Sequence, residues 1–147
     1  MRLFAGCLTA AALLLCLTTA SLAGTTGAAH FKIEKTSLGK VVADASGRTL
    51  YLFRADSPTA SACYGQCAKY WPPLLTSGKP VAAAGMNAAL LGTAKRKDGT
   101  TQVTYKGHPL YTFLLDTAPG QAKGEGSKNF GAPWYALAPG GATIDKG

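Results

Sequence analysis

The chain holds few side chains whose type and spacing could do chemistry. Cys63 and Cys67 stand as C-x-x-x-C, and His108 is the one histidine outside the N-terminal stretch that ends at His30. Tyr51 with Asp56 and Tyr111 with Asp116 form two phenol and carboxylate sets. A thiol pair can serve redox chemistry or hold a soft metal. A phenol beside a carboxylate can hold a ligand or move a proton.

The tyrosines and aspartates belong to a repeat, and the repeat changes their meaning. Gly47 to Asp56 and Gly107 to Asp116 both fit G-x-x-L-Y-x-F-x-x-D, with identities at Gly, Leu, Tyr, Phe and Asp. Such self-similarity marks two copies of one supersecondary unit. Catalytic groups are usually single, whereas each copy of a repeat must build its own core. Tyr51, Phe53, Asp56, Tyr111, Phe113 and Asp116 are therefore expected to serve the fold. Each aromatic pair supplies core, and each aspartate fixes the turn that follows by accepting backbone N–H groups.

Cys63 and Cys67 are expected to form a disulfide, the stable state in an oxidising compartment. Redox pairs are usually C-x-x-C; zinc asks for four nitrogen or sulfur ligands, and beside the cysteines only His30 and His108 are available, His30 in the loose lead-in. His108 has Arg48 at its place in the other copy, which suits a polar turn better than a ligand. It stays, with Trp71 and Trp134, a candidate for ligand contact, since tryptophans can stack on sugar rings; filling the core is the competing role. No metal, cofactor, nucleophile motif or phosphate-binding loop is indicated, and the expectation is a protein that is not an enzyme.

These side chains must be positioned by strands. Phe31 to Lys35 alternates apolar and charged residues, Lys40 to Ala43 and Thr49 to Phe53 are β-favouring, and turns separate them. The second copy repeats the plan, with strands at 91–96 and 101–105 joined by Asp98-Gly99 and a third from Pro109 to Phe113. Trp71-Pro72-Pro73 is held extended, 67–70 fits one helical turn, 81–90 suits a short helix, and Trp134 to Leu137 is a last strand. The glycine-rich stretch 117–131 reads as mobile. The expected fold is mostly β: two antiparallel meander repeats of three to four strands, packed as one domain, with short helical turns.

The N-terminus carries a positive residue, Arg2, an apolar run from Leu8 to Leu17, and Ser21-Leu22-Ala23. That pattern predicts a secretory signal peptide over 1–23. A membrane anchor needs about 20 unbroken apolar residues, and Thr18, Thr19 and Ser21 interrupt this run. Lipid anchoring at Cys16 is less favoured, because Leu15 is too large for the position before a lipidated cysteine. The expected organisation is a loose lead-in over 24–30, repeats over 31–75 and 91–138, a connector over 76–90 and a frayed tail over 139–147. Formal charge is +8. The basic residues are scattered except for Lys95-Arg96-Lys97, read as a solvated turn, so nucleic acid is not an expected partner.

Several of these segments together resemble one family. They are the paired Tyr-x-Phe-x-x-Asp motifs, Cys63-x-x-x-Cys67-Ala68, Trp71-Pro72-Pro73-Leu74-Leu75, the stretch from Arg96 to Tyr105, and Phe130 to Tyr135. The resemblance is to the bacterial secreted repeat of unknown function, described also as predicted lipoproteins with a Y-x-(F/W/Y)-x-x-D motif. It covers about residues 38–138 and implies export and tandem repeats without an established activity. The expected role is a non-catalytic envelope module, in the periplasm or outside the cell, that binds or organises anionic material or another envelope protein. Metal or redox handling through Cys63 and Cys67 is the alternative.

Overall fold

The computed structural model describes residues 27–146. The signal segment, the N-terminal part of the lead-in and Cys16 lie outside them. Seven short strands and one helical turn follow the expected order. They are β1 (Phe31–Thr36), β2 (Gly39–Asp44), β3 (Tyr51–Phe53), α1 (Gln66–Tyr70), β4 (Leu91–Lys95), β5 (Thr101–Tyr105), β6 (His108–Pro109) and β7 (Trp134–Ala136). All ladders are antiparallel: β1 with β2, β3 with β7, and β4-β5-β6 in sequence.

The fold is mostly β, in two repeats. Asp98 closes the β4–β5 hairpin by accepting from the Thr100 amide and hydroxyl, at 3.0 and 2.5 Å. Gly99 supplies the positive φ of 85° that this turn needs. In the first repeat the third strand leaves its own hairpin after one bridge, Ala43 to Thr49, and runs with β7 instead.

A local two-fold axis relates the halves, and the hydrogen bonds count it out. The Leu50 amide donates to Val42 O at 2.9 Å, as Leu110 does to Val103 O at 3.0 Å. Val42 N donates to Leu137 O and Val103 N to Leu74 O, both at 2.8 Å. The second pair shows that the halves exchange strands. Residues 71–75 of the first repeat lie beside the second repeat's strands, with bridges Pro73–Tyr111 and Leu75–Gln102. Residues 134–137 of the second repeat lie beside β3 and β2 of the first.

The exchange sets the core. Tyr51, Phe53, Tyr111, Phe113, Trp71 and Trp134 bury on one side of the exchanged strands. Leu50, Leu52, Leu110, Val42, Val103 and Leu137 bury on the other, as strand alternation requires. Phe53, Trp134, Trp71 and Phe113 form one continuous stack with centroid spacings of 4.0, 3.9 and 4.2 Å. Tyr51 meets the edge of Trp71 at 5.3 Å, and Tyr111 meets Trp134 at 5.1 Å. Such ring pairs add about 0.5–1.5 kcal/mol each beyond the area they bury.

Several expectations for the periphery need correction. Residues 27–30 are docked: Ala29 is buried, its amide donates to Thr76 Oγ1 at 3.0 Å, and His30 bridges Val81. The stretch 81–90 holds only a 3₁₀ turn at Ala88–Leu90, capped by Asn87, and no longer helix. The tail is a paired hairpin, with Leu137 bridging Thr143 and Ile144 N donating to Ala136 O at 2.9 Å. In the glycine-rich loop, Gly124 is buried against Trp71, and Gly126 N donates to Trp134 O at 2.9 Å. Backbone pairing holds these segments, a contribution that residue composition does not display.

Candidate functional site

The motif tyrosines and aspartates converge in two related pairs. The Tyr51 hydroxyl donates to Asp116 Oδ2 at 2.5 Å, and the Tyr111 hydroxyl donates to Asp56 Oδ2 at 2.8 Å. Each tyrosine is therefore bound to the aspartate of the other repeat. The second oxygen of each carboxylate is bound within its own loop. Asp56 Oδ1 accepts from Ala62 N at 2.7 Å, and Asp116 Oδ1 accepts from Lys123 N at 2.8 Å.

Electrostatics in both pairs favours the protonated forms. Burial and the neighbouring carboxylates push both phenols far above their ordinary value. Burial also raises Asp56, against the Ala62 amide, the Tyr111 hydroxyl and the Arg96 charge. It raises Asp116, against the Tyr51 hydroxyl and the amide and charge of Lys123. A phenol so far from neutrality is poorly matched to proton transfer at physiological pH.

The halves differ around these pairs. Tyr51 is closed in by Gly124, whose amide donates to its oxygen at 3.2 Å. Tyr111 instead meets Ser61 Oγ at 2.7 Å, and Ser61 accepts from Arg96 Nη1 at 2.9 Å. Arg96 also donates to Gln102 Oε1 and Cys63 O, at 2.7 and 2.8 Å, and lies 4.4 Å from the Tyr64 ring centre. The reading of Lys95-Arg96-Lys97 as a solvated turn is thus wrong at its centre. Lys95 and Lys97 are exposed, but Arg96 is only 5% exposed. Inward Ala94 and outward Lys95 give the alternation that carries Arg96 inside, a signal present in the sequence. Ser61 and Gln102 carried no such signal.

Cys63 and Cys67 form a disulfide with Cα atoms 5.3 Å apart, and both are buried beside the aromatic stack. Trp71 and Trp134 are fully buried, which takes them out of reach of a ligand and corrects their candidacy as contacts. His108 is half-buried at the start of β6, paired with Tyr105; burial and the charges of Arg54 and Lys106 lower its pKa. Among the described residues, no group of three or more His, Cys, Asp or Glu side chains is placed to hold a metal, and no helix is long and apolar enough to cross a membrane.

Charge is largely segregated between inside and outside, with buried Arg96 and exposed Asp98 and Asp145 as exceptions. Every lysine among the described residues is exposed, as are Arg48 and Arg54. Asp44 and Asp116 are buried, while Asp56 and Glu125 are half-buried and bound to internal amides. Asp44 is also paired with Arg48 at 2.8 Å.

Neither the curated proteins nor the solved structures provide a match to the chain. A family model does match, twice, over residues 32–75 and 92–138. The chain accordingly belongs to the family described as a secreted repeat of unknown function and is an exported protein.

Proposed function

We propose that this exported protein is a non-catalytic module that binds anionic envelope material through its basic surface, working in the periplasm or outside the cell without a lipid anchor. The observation that carries this reading is the segregation of charge. The chain has 15 Lys and Arg against 7 Asp and Glu, and the fold turns Asp44, Asp56, Asp116 and Glu125 toward internal partners. The outer surface is thereby more basic than the sequence balance alone, and such a surface concentrates anionic polymers and headgroups around it. The duplicated, enclosed phenol–carboxylate pairs support a structural rather than a catalytic role for the motif. The joined and buried state of Cys63 and Cys67 favours a structural bond over redox or metal work.

The test is retention on an acidic polysaccharide and on anionic vesicles, followed across ionic strength. Binding that weakens steeply with salt is expected. No retention on either at low salt would remove the proposal. Thiol counting and metal analysis of protein purified as exported test the alternative, which requires free thiols or bound metal.

A further inference from the structure

The two-fold axis provides an internal control for what the fold itself requires. The turn after each motif phenylalanine is built alike, with Asp56 N donating to Phe53 O and Asp116 N to Phe113 O, both at 3.1 Å. Each turn is also tied to the strand beside it, Arg54 N to Pro133 O at 3.0 Å and Leu114 N to Tyr70 O at 2.9 Å. In one half the turn residues are Arg54 and Ala55 against Pro133. In the other they are Leu114 and Leu115 against Tyr70. The first set shows that the fold is satisfied without large apolar side chains at these places.

The second set nevertheless exposes them. Leu114 and Leu115 are each 54% exposed, Tyr70 is 42% and Phe130 is 43%. The rings of Tyr70 and Phe130 lie 6.1 Å apart and, with Asn129, line a depression of about 220 Å³. Phe130 holds φ at 65°, a left-handed conformation unfavourable for a bulky residue. Strain and exposed apolar area thus coincide around Tyr70. Two exposed cations neighbour this area in the chain: Lys69 precedes Tyr70 and Lys128 lies two residues before Phe130. Asp116, next to Leu115, is buried and bound by Tyr51.

We infer that Tyr70, Leu114, Leu115 and Phe130, with Lys69 and Lys128, form the surface by which this protein sits on an anionic bilayer. The inference rests on the basic-surface reading above and names its target as lipid headgroups. Aromatic and leucine side chains enter the boundary between headgroups and acyl chains, while the neighbouring lysines meet the negative surface. The aliphatic Leu114 and Leu115 fit acyl chains, which favours a lipid surface over a sugar.

The experiment compares the protein with a Leu114→Ser, Leu115→Ser, Phe130→Asn variant, which changes no charge. Sedimentation with phosphatidylcholine vesicles, with and without phosphatidylglycerol, is read beside retention on polygalacturonate. The expected result is binding to the phosphatidylglycerol vesicles that falls about tenfold or more in the variant, in keeping with interfacial burial of apolar groups. Polygalacturonate retention should be unchanged. The variant's melting temperature should be equal or higher, because asparagine tolerates the left-handed conformation better than phenylalanine. Equal vesicle binding by both proteins would overturn the inference and leave the charge reading standing. So would retention on polygalacturonate without vesicle binding. A wild-type self-association abolished in the variant, with no vesicle binding, would reassign the patch to a protein contact. Binding to neither material would end both readings together.

Discussion

Tyr51 and Tyr111 are hydrogen-bonded to each other through both backbone groups, with N to O distances of 2.8 and 3.0 Å. The centre of one motif is thus the strand partner of the centre of the other. The two-fold axis passes between them, and their hydroxyls reach out to Asp116 and Asp56 on opposite sides.

That arrangement predicts a coupling pattern that crosses the repeats. Tyr51→Phe should destabilise by about 1–3 kcal/mol, because the Asp116 carboxylate keeps its burial but loses a donor. Tyr111→Phe should cost less, since Asp56 is more exposed. In double-mutant cycles by denaturant unfolding, Tyr51 should couple to Asp116 and show almost no coupling to Asp56, although Asp56 is the nearer in sequence. Coupling within each repeat instead would contradict the exchanged pairs.

The raised carboxyls predict a pH dependence of definite sign. A carboxyl whose folded-state pKa lies above its unfolded value binds more protons when folded, so its contribution is present at low pH and lost as pH rises through the folded value. For Asp56 and Asp116 the window lies from the ordinary aspartate value upward. His108, lowered, works the other way below its own ordinary value. Melting temperature of the wild type minus that of an Asp56→Asn, Asp116→Asn variant isolates the two carboxyls. This difference should grow as pH falls through the window; a difference that shrinks would refute the assignment.

Two glycines of one loop should respond differently to alanine. A Cβ on Gly124 would lie 2.6 Å from Trp71 Cη2 and 3.1 Å from Tyr51 Cζ, with Trp71 already held between Phe113 and Trp134. Gly124→Ala should therefore cost about 3 kcal/mol, the upper end for overpacking a core. Gly126→Ala meets open space at φ 70° and should cost only the left-handed penalty, about 1–2 kcal/mol. Melting curves of the two variants test the order.

Exchange of strands means that neither repeat can complete its sheet or its ring stack alone. A chain split after Gly85, an exposed turn residue in the connector, should give two fragments that lack near-ultraviolet circular dichroism. Mixing them should restore it, because Trp71 and Trp134 come from different fragments and stack at 3.9 Å. An isolated fragment with a native-like aromatic signal would argue against the exchange.

Much of the frame was legible because strand periodicity and turn chemistry are local. Tyr51 and Phe53 on one face and Leu50 on the other follow from alternation alone, and the helical turn before Trp71 follows from Pro72. The partners of those strands are not local. Nothing in the spacing of Trp134 says that it serves the first repeat, or that Asp116 will meet Tyr51 rather than only its own loop. Arg96 was legible from the alternation through Ala94 and Lys95 but masked by its lysine neighbours, whereas the docked tail was hidden by its glycines. The exposed ring of Phe130 lies in a stretch whose glycines read only as a mobile loop. Its 43% exposure, which no local pattern displays, separates it from the core.

The exchanged strands have a further consequence for assembly. Like meets like across the axis, so each half faces the other as identical subunits face one another in an isologous dimer. The contacts of a single repeat already contain those of a two-fold pair, and the connector serves as a tether that holds the second half at high effective concentration. Covalent linkage makes the association independent of how dilute the protein becomes, which suits a chain released beyond the cytoplasm. It also frees each end to diverge, and the replacement of Arg54 and Ala55 by Leu114 and Leu115 is a difference that an identical pair could not have held.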